Sequence, residues 1–155
     1  MIKRMCHVGI SVADLERSMQ FYCAMLGMKV LAQESFSGQL YERILDLPDT
    51  NGRVALLEAP GMQLEIFEFA NPRPRSARTH RAVSELGISH FCIEVADIES
   101  VYRRLNAAGV TFHSAPIDFI GLAKATYGRD PDGNVFELLQ IMEGAAAETN
   151  IKVGQ

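Results

Sequence analysis

Residues 7–18, HVGISVADLERS, and residues 90–101, HFCIEVADIESV, are two versions of one phrase within the same chain. Each opens on a histidine, reaches Val-Ala-Asp five residues later, and continues with an aliphatic residue and a glutamate. The first half of each phrase is rich in β-formers and reads as a strand. Asp14 and Asp97 then stand where a helix needs a short side-chain acceptor for its first free N–H groups. After them the apolar positions recur with a helical period: Leu15, Met19, Tyr22, Met25 and Leu26 in the first copy, Ile98, Val101, Tyr102 and Leu105 in the second. Gly27 and Gly109 are placed to stop those helices. A strand followed by a helix is therefore expected twice, each strand led by a histidine.

Outward from these phrases the same programme continues. In the first half, residues 28–32, 40–47 and 53–58 read as strands, Pro60-Gly61 as a hairpin turn, and Gln63–Phe69 as the clearest strand. Residues 71–86 form a linker, polar and Pro-bearing at its start, with a short helical turn expected over His80–Leu86. In the second half, residues 88–95, 110–113, 122–128 and 134–141 read as strands, with Asp130-Pro-Asp-Gly133 as a turn. The tail from 143 to 155 has no apolar period and is expected to be flexible. The order reduces to βαβββ, linker, βαβββ, an internal repeat of α+β type. One such unit cannot easily cover both faces of its own sheet, so two are expected to bury their sheets as one domain over residues 1–145. Module one spans about 4–70 and module two about 87–141.

Bulk properties exclude several classes. A net charge of −4 supplies no basic field for nucleic acid. No apolar run approaches the roughly 20 residues of a membrane span, and the first residues lack the apolar core of a signal peptide. Three cysteines (Cys6, Cys23, Cys92) with no C-x-x-C spacing fit reduced thiols in a cytoplasmic protein. Cys6 and Cys92 sit in apolar strands and read as buried, inert thiols rather than nucleophiles. No Gly-rich nucleotide loop is present.

Packing alone explains a repeat. It does not explain two histidines, His7 and His90, leading apolar strands, nor Glu65 and Glu137, each flanked by two apolar residues in the last strand of its module. With period 2, each glutamate faces away from those neighbours. A single such histidine is ordinary core, and a single such glutamate needs only a cationic partner or an open face. Glu68, on the opposite parity from Glu65, reads as solvent-facing. Two histidines and two glutamates at equivalent places form an N2O2 set that suits a divalent first-row metal, if the modules pair with pseudo-twofold symmetry. Ni, Co, Zn, Mn and Fe(II) all accept that set.

The chain resembles the vicinal oxygen chelate superfamily (glyoxalase I, methylmalonyl-CoA epimerase, extradiol dioxygenases, fosfomycin- and bleomycin-resistance proteins) over about residues 4–141. The resemblance is carried by His7 with VADLERSMQFYCAMLGMKV, Glu65 in QLEIFEF, His90 in GISHFCIEVADIE and Glu137 in RDPDGNVFELLQ. It implies paired βαβββ modules forming an open barrel-like cup, and one metal per site held by His7, Glu65, His90 and Glu137. It implies a small-molecule substrate with two vicinal oxygens, and a homodimer. The reaction it implies is of glyoxalase or epimerase type through an enediolate-like intermediate, with Glu137 first and Glu65 second as the base that removes a proton alpha to a carbonyl.

Departures qualify the substrate. Ser11 stands where glyoxalase I usually has an arginine for glutathione, and residues 33–39 carry no evident glutathione pattern. Glu65 replaces the glutamine of the epimerase. Tyr127, ten residues before Glu137, and His113 match features of extradiol dioxygenases, which use two histidines and one carboxylate. Bleomycin-resistance proteins sequester a ligand without metal residues. Phe36, Phe67, Phe119, Ile120 and Leu122 are cup-lining or plain core. Arg73, Arg75, Arg78 and Arg81 read as a solvated linker, or as contacts for an anionic substrate tail.

Overall fold

The computed structural model describes residues 1–74 and 81–143; Arg75, Arg78 and the tail beyond residue 143 lie outside them. The chain resolves into two compact units, one of the residues up to 80 with Pro131–Gly133, the other of the remainder.

In the first unit the elements are β1 (His7–Val12), α1 (Leu15–Met19, continued by a π-helical turn Gln20–Met25), β2 (Lys29–Ser37), α2 (Gln39–Leu45), β3 (Asn51–Ala59) and β4 (Met62–Asn71). The sheet order is β1-β4-β3-β2, with β1 parallel to β4 and the other pairs antiparallel. Along β1 exposure alternates, with His7, Gly9 and Ser11 on the open face and Val12 only 2% exposed on the other. Asp14 caps α1 by accepting from the Arg17 N–H at 3.0 Å. Leu15, Phe21 and Tyr22 are buried, as are Ala55, Leu57, Leu64 and Ile66. Each such aliphatic or aromatic side chain contributes roughly 1.5–3 kcal/mol of transfer free energy. Gly27, at φ 80°, ends the helix in the left-handed region as expected.

Within this unit Asp132, 8% exposed, accepts from Arg17 Nη2 at 2.7 Å. In the second unit Asp130 accepts from the Asn134 N–H and side-chain amide, both at 2.8 Å. The Asp-Pro-Asp-Gly-Asn stretch thus builds and fastens a turn.

The second unit repeats the plan: β5 (Phe91–Glu94), α3 (Ile98–Ala107), β6 (Ile117–Asp118), β7 (Ala123–Arg129) and β8 (Val135–Ile141). The order is β5-β8-β7-β6, with β5 parallel to β8. Asp97 caps α3 through the Ser100 N–H at 3.0 Å. Ile98, Leu105, Phe136 and Leu138 are fully buried. Gly128 is compulsory: a Cβ there would lie 2.5 Å from the Phe136 ring and 2.9 Å from that of Phe112.

The α+β class, the tandem βαβββ units and the helix caps are as expected, and neither sheet closes on itself. Three local expectations are corrected. Residues 40–47 are not a strand: α2 forms from Gln, Leu, Glu and Arg, all good helix formers, and ends where Asp46 takes a left-handed φ of 52°. This leaves four strands in the unit. β2 runs to Ser37, because β3 offers it partners along its whole length. The expected strand 110–113 shrinks to one bridge, Phe112 with Gly128. Of the helical turn expected over His80–Leu86, the described part holds one turn, with Glu85 N–H bonded to the Ala82 carbonyl.

Candidate metal centre

Each unit brings one histidine and one glutamate together. β1 runs parallel to β4 in a register that sets His7 beside Gln63 and Gly9 beside Glu65. His7 Nε2 lies 3.5 Å from Glu65 Oε2. In the second unit Cys92 on β5 is the register partner of Glu137 on β8, and His90, just before β5, places Nε2 3.1 Å from Glu137 Oε2. Two donors bound at about 2.1 Å on neighbouring octahedral positions stand about 3 Å apart. Each pair therefore fits two adjacent positions of one first-row ion.

Ser89 Oγ lies 2.9 Å from His90 Nδ1. Such a bond orients a ligand imidazole and leaves Nε2 for the metal. The equivalent place in the first unit is Cys6. Tyr127 on β7 is the register partner of Glu137, and its ring packs on His90 at 4.8 Å. His113 stands edge-on to Tyr127 at 6.0 Å. Burial, and after it the charges of Glu137 and Cys92, push the Tyr127 phenol above its usual range. Burial and Arg129 hold the His113 imidazole below its usual range.

The cysteine expectation is corrected. Cys6 and Cys92 are exposed, and Cys23 is intermediate. Desolvation by the surrounding chain, followed by the Glu137 charge, pushes the Cys92 thiol up to about 12. That shift disfavours the thiolate, the form in which a cysteine acts as a nucleophile.

Glu68 is not a free solvent-facing carboxylate. It accepts the Leu15 N–H at 2.7 Å and pairs with Arg53 at 2.5 Å, fastening the start of α1 to the sheet. Among the described residues, Asp14, Glu16 and Glu68 bring three ligand atoms within 4.8 Å of one another. Arg53 already pairs with Glu16 and Glu68, so that group is an ion-pair network.

On the open face of the first sheet, Phe67 stacks on Phe69 at 5.6 Å, two residues along β4 from Glu65. Phe36 meets both edge-on and is 2% exposed, a core residue. Phe119, Ile120 and Leu122 are exposed rather than core. Arg81 donates to the Glu85 and Leu86 carbonyls and so serves its own turn. Tyr41 was hidden in the segment read as a strand. Its phenol donates to Glu34 Oε1 at 3.0 Å, and that bond, then burial, then the charges of Glu34 and Glu65, raise its pKa. It lines a cleft of about 620 Å³ with Leu40, Arg43 and Ile44. Ser89, Gly9 and Tyr41 are the site neighbours that sequence reasoning missed. The offset from His7 to His90 could have flagged the first two as positions to compare with Cys6 and Cys92.

The sequence profile of the Glyoxalase/Bleomycin resistance protein/Dioxygenase superfamily matches residues 4–138. A 2-epi-5-epi-valiolone epimerase of Actinomyces sp is 30% identical, covering 95% of this chain and 84% of the relative. A lactoylglutathione lyase of Arabidopsis thaliana is 29% identical over 89% of this chain, which spans only 44% of that relative. Among solved structures, a glyoxalase family protein from Bacillus cereus superposes with a TM-score of 0.85 at 20% identity, covering 92% of this chain and 96% of that one. At that identity the likeness shows the fold alone.

Proposed function

Because the chain belongs to the Glyoxalase/Bleomycin resistance protein/Dioxygenase superfamily, we propose that it is a metal-dependent lyase or isomerase of glyoxalase or epimerase type. His7, Glu65, His90 and Glu137 hold one divalent cation as a single domain spanning about residues 1–145, in a cytoplasmic homodimer. The observation that carries the reading is the repeated His–Glu pair, 3.5 Å in the first unit and 3.1 Å in the second. The epimerase and the lyase among its relatives support the reaction class.

A bound cation would polarise two vicinal oxygens of the substrate. His7, Glu65, His90 and Glu137 would hold that cation. The chain's own part is to hold the substrate and move a proton alpha to its carbonyl. The family resemblance puts Glu137 first and Glu65 second for that step. A glutamate titrates near 4.3 in isolation, so the base needs local tuning to act near neutrality. Tyr127, His113, Phe67 and Phe119 are the candidates for contact with substrate. Ser11, in the row beside Phe67, supplies no cation for a glutathione carboxylate.

A second reading is favoured by one observation: Tyr127 packs on His90 with His113 beyond it. That grouping suits an extradiol dioxygenase with two histidines and Glu137 on iron.

Metal content by mass spectrometry, on wild type and Glu65→Ala side by side, tests both. About one divalent ion per chain, lost in the variant, supports the four-ligand reading. Iron retained in Glu65→Ala supports the dioxygenase. A wild type that takes up no metal overturns both in favour of a ligand-sequestering protein.

A further inference from the structure

The two glutamates of the proposed site have different neighbours, and that difference assigns them different parts. On the sheet around Glu65 the register partners are Gly9 on β1 and Leu56 on β3. Neither side chain can donate a hydrogen bond. A Cβ built on Gly9 would stand 4.0 Å from Glu65 Oε2, in ordinary van der Waals contact, so Gly9 puts no atom of its own against the carboxylate. Around Glu137 the register partners are Cys92 on β5 and Tyr127 on β7, each with a side-chain hydrogen to donate. The Glu137 side chain is 16% exposed, against 29% for Glu65.

We propose that Cys92 is a positioning residue. Its S–H donates to Glu137 and holds that carboxylate in one orientation, while Glu65, facing Gly9, is the carboxylate free to turn. This rests on the metal-dependent reading above and deepens it. A cysteine donor beside a ligand carboxylate acts as an outer-shell partner, a kind of contact whose loss costs about 10–100-fold in metal affinity. The anchored glutamate would then serve as a fixed ligand. Glu65, whose register partners Gly9 and Leu56 carry no side-chain donor, would be the carboxylate that moves the proton, which reverses the order that family resemblance alone suggests.

The test has one arm on metal-free protein and one on metal. In the first, the infrared S–H stretch of Cys92 is assigned by its loss in Cys92→Ala. It is expected below the bands of Cys6 and Cys23, and to move toward them in Glu137→Gln, whose amide is a weaker acceptor. A Cys92 band that ignores Glu137→Gln overturns the proposal. In the second arm, Zn²⁺ affinity is measured by chelator competition. Cys92→Ala is expected to bind about tenfold more weakly, with most of the loss restored by Cys92→Ser, which keeps a donor. Cys92→Ala binding like wild type, or Cys92→Ser no better than Cys92→Ala, overturns it. Should wild type bind no metal, the metal-dependent reading fails, and the infrared arm still decides the Cys92–Glu137 bond.

Discussion

The two units share strand order, helix cap and one His–Glu pair each, yet they surround the pair differently. In the first unit Glu65 lies between a glycine and a leucine, and His7 follows a cysteine. In the second, Glu137 lies between a cysteine and a tyrosine, and His90 has Ser89 on its Nδ1. The repeat keeps the residues that could bind a cation and varies the residues that hold them still. A duplicated pair is therefore not a symmetric one: both register partners of Glu137 carry a side-chain donor, and neither register partner of Glu65 does.

The hardest way to break this comparison is to remove a ligand from either half. His7→Ala and His90→Ala are each expected to weaken metal binding by more than the roughly 10–100-fold that an outer-shell loss costs, read as metal content after dialysis. If only one of them matters, the halves do not share a cation.

A smaller effect separates two glycines. Gly128→Ala would drive a Cβ into the Phe112 and Phe136 rings and is expected to cost roughly 1–3 kcal/mol in a denaturant melt. Gly9→Ala meets no atom closer than 4.0 Å and should be near neutral. A large loss at Gly9 would mean that something other than Glu65 fills its flank.

Smaller again, Gly9→Cys would copy the second unit's donor into the first. It should tighten metal retention by up to about tenfold and slow turnover, because both carboxylates would then be anchored. Faster turnover in that variant would argue against a mobile Glu65.

The smallest effect is electrostatic. The hydrogen bond from Arg53, followed by the backbone and then the Arg53 charge, holds Glu16 below the usual carboxylate range. Since its folded pKa is depressed, its contribution to stability is present at neutral pH and is lost as pH falls through the carboxylate range. Both side chains are substantially exposed, so the effect is small and screened by salt. Thermal melts of wild type and Glu16→Gln should differ slightly at neutral pH and converge on acidification.

The repeat and the faces taken by its histidines and glutamates were legible because they depend on short periods. Alternation in β1 and β4 is enough to turn His7 and Glu65 away from Val12, Leu64 and Ile66. Asp14 and Asp97 could be read as caps from their own neighbours. Residues 40–47 could not be read correctly, because a short segment with apolar residues at both spacings fits strand or helix, and here the helix leaves Leu40 and Ile44 80% exposed. Glu68 was misread because parity states which face a side chain takes, not that Arg53 and the Leu15 N–H wait there.

By itself the sequence determined which residues could act as ligands, which faces they would take, and that the pattern occurs twice. Those properties follow from the period of a strand and the caps of a helix, which are local. Only the tertiary structure decided that Gly9 faces Glu65 while Cys92 and Tyr127 face Glu137. Gly9 and Glu65 are 56 residues apart in the chain, Cys92 and Glu137 are 45 apart, and the parallel registers of β1 with β4 and of β5 with β8 bring them side by side. Register is a property of the folded sheet, and no local spacing in the chain encodes it.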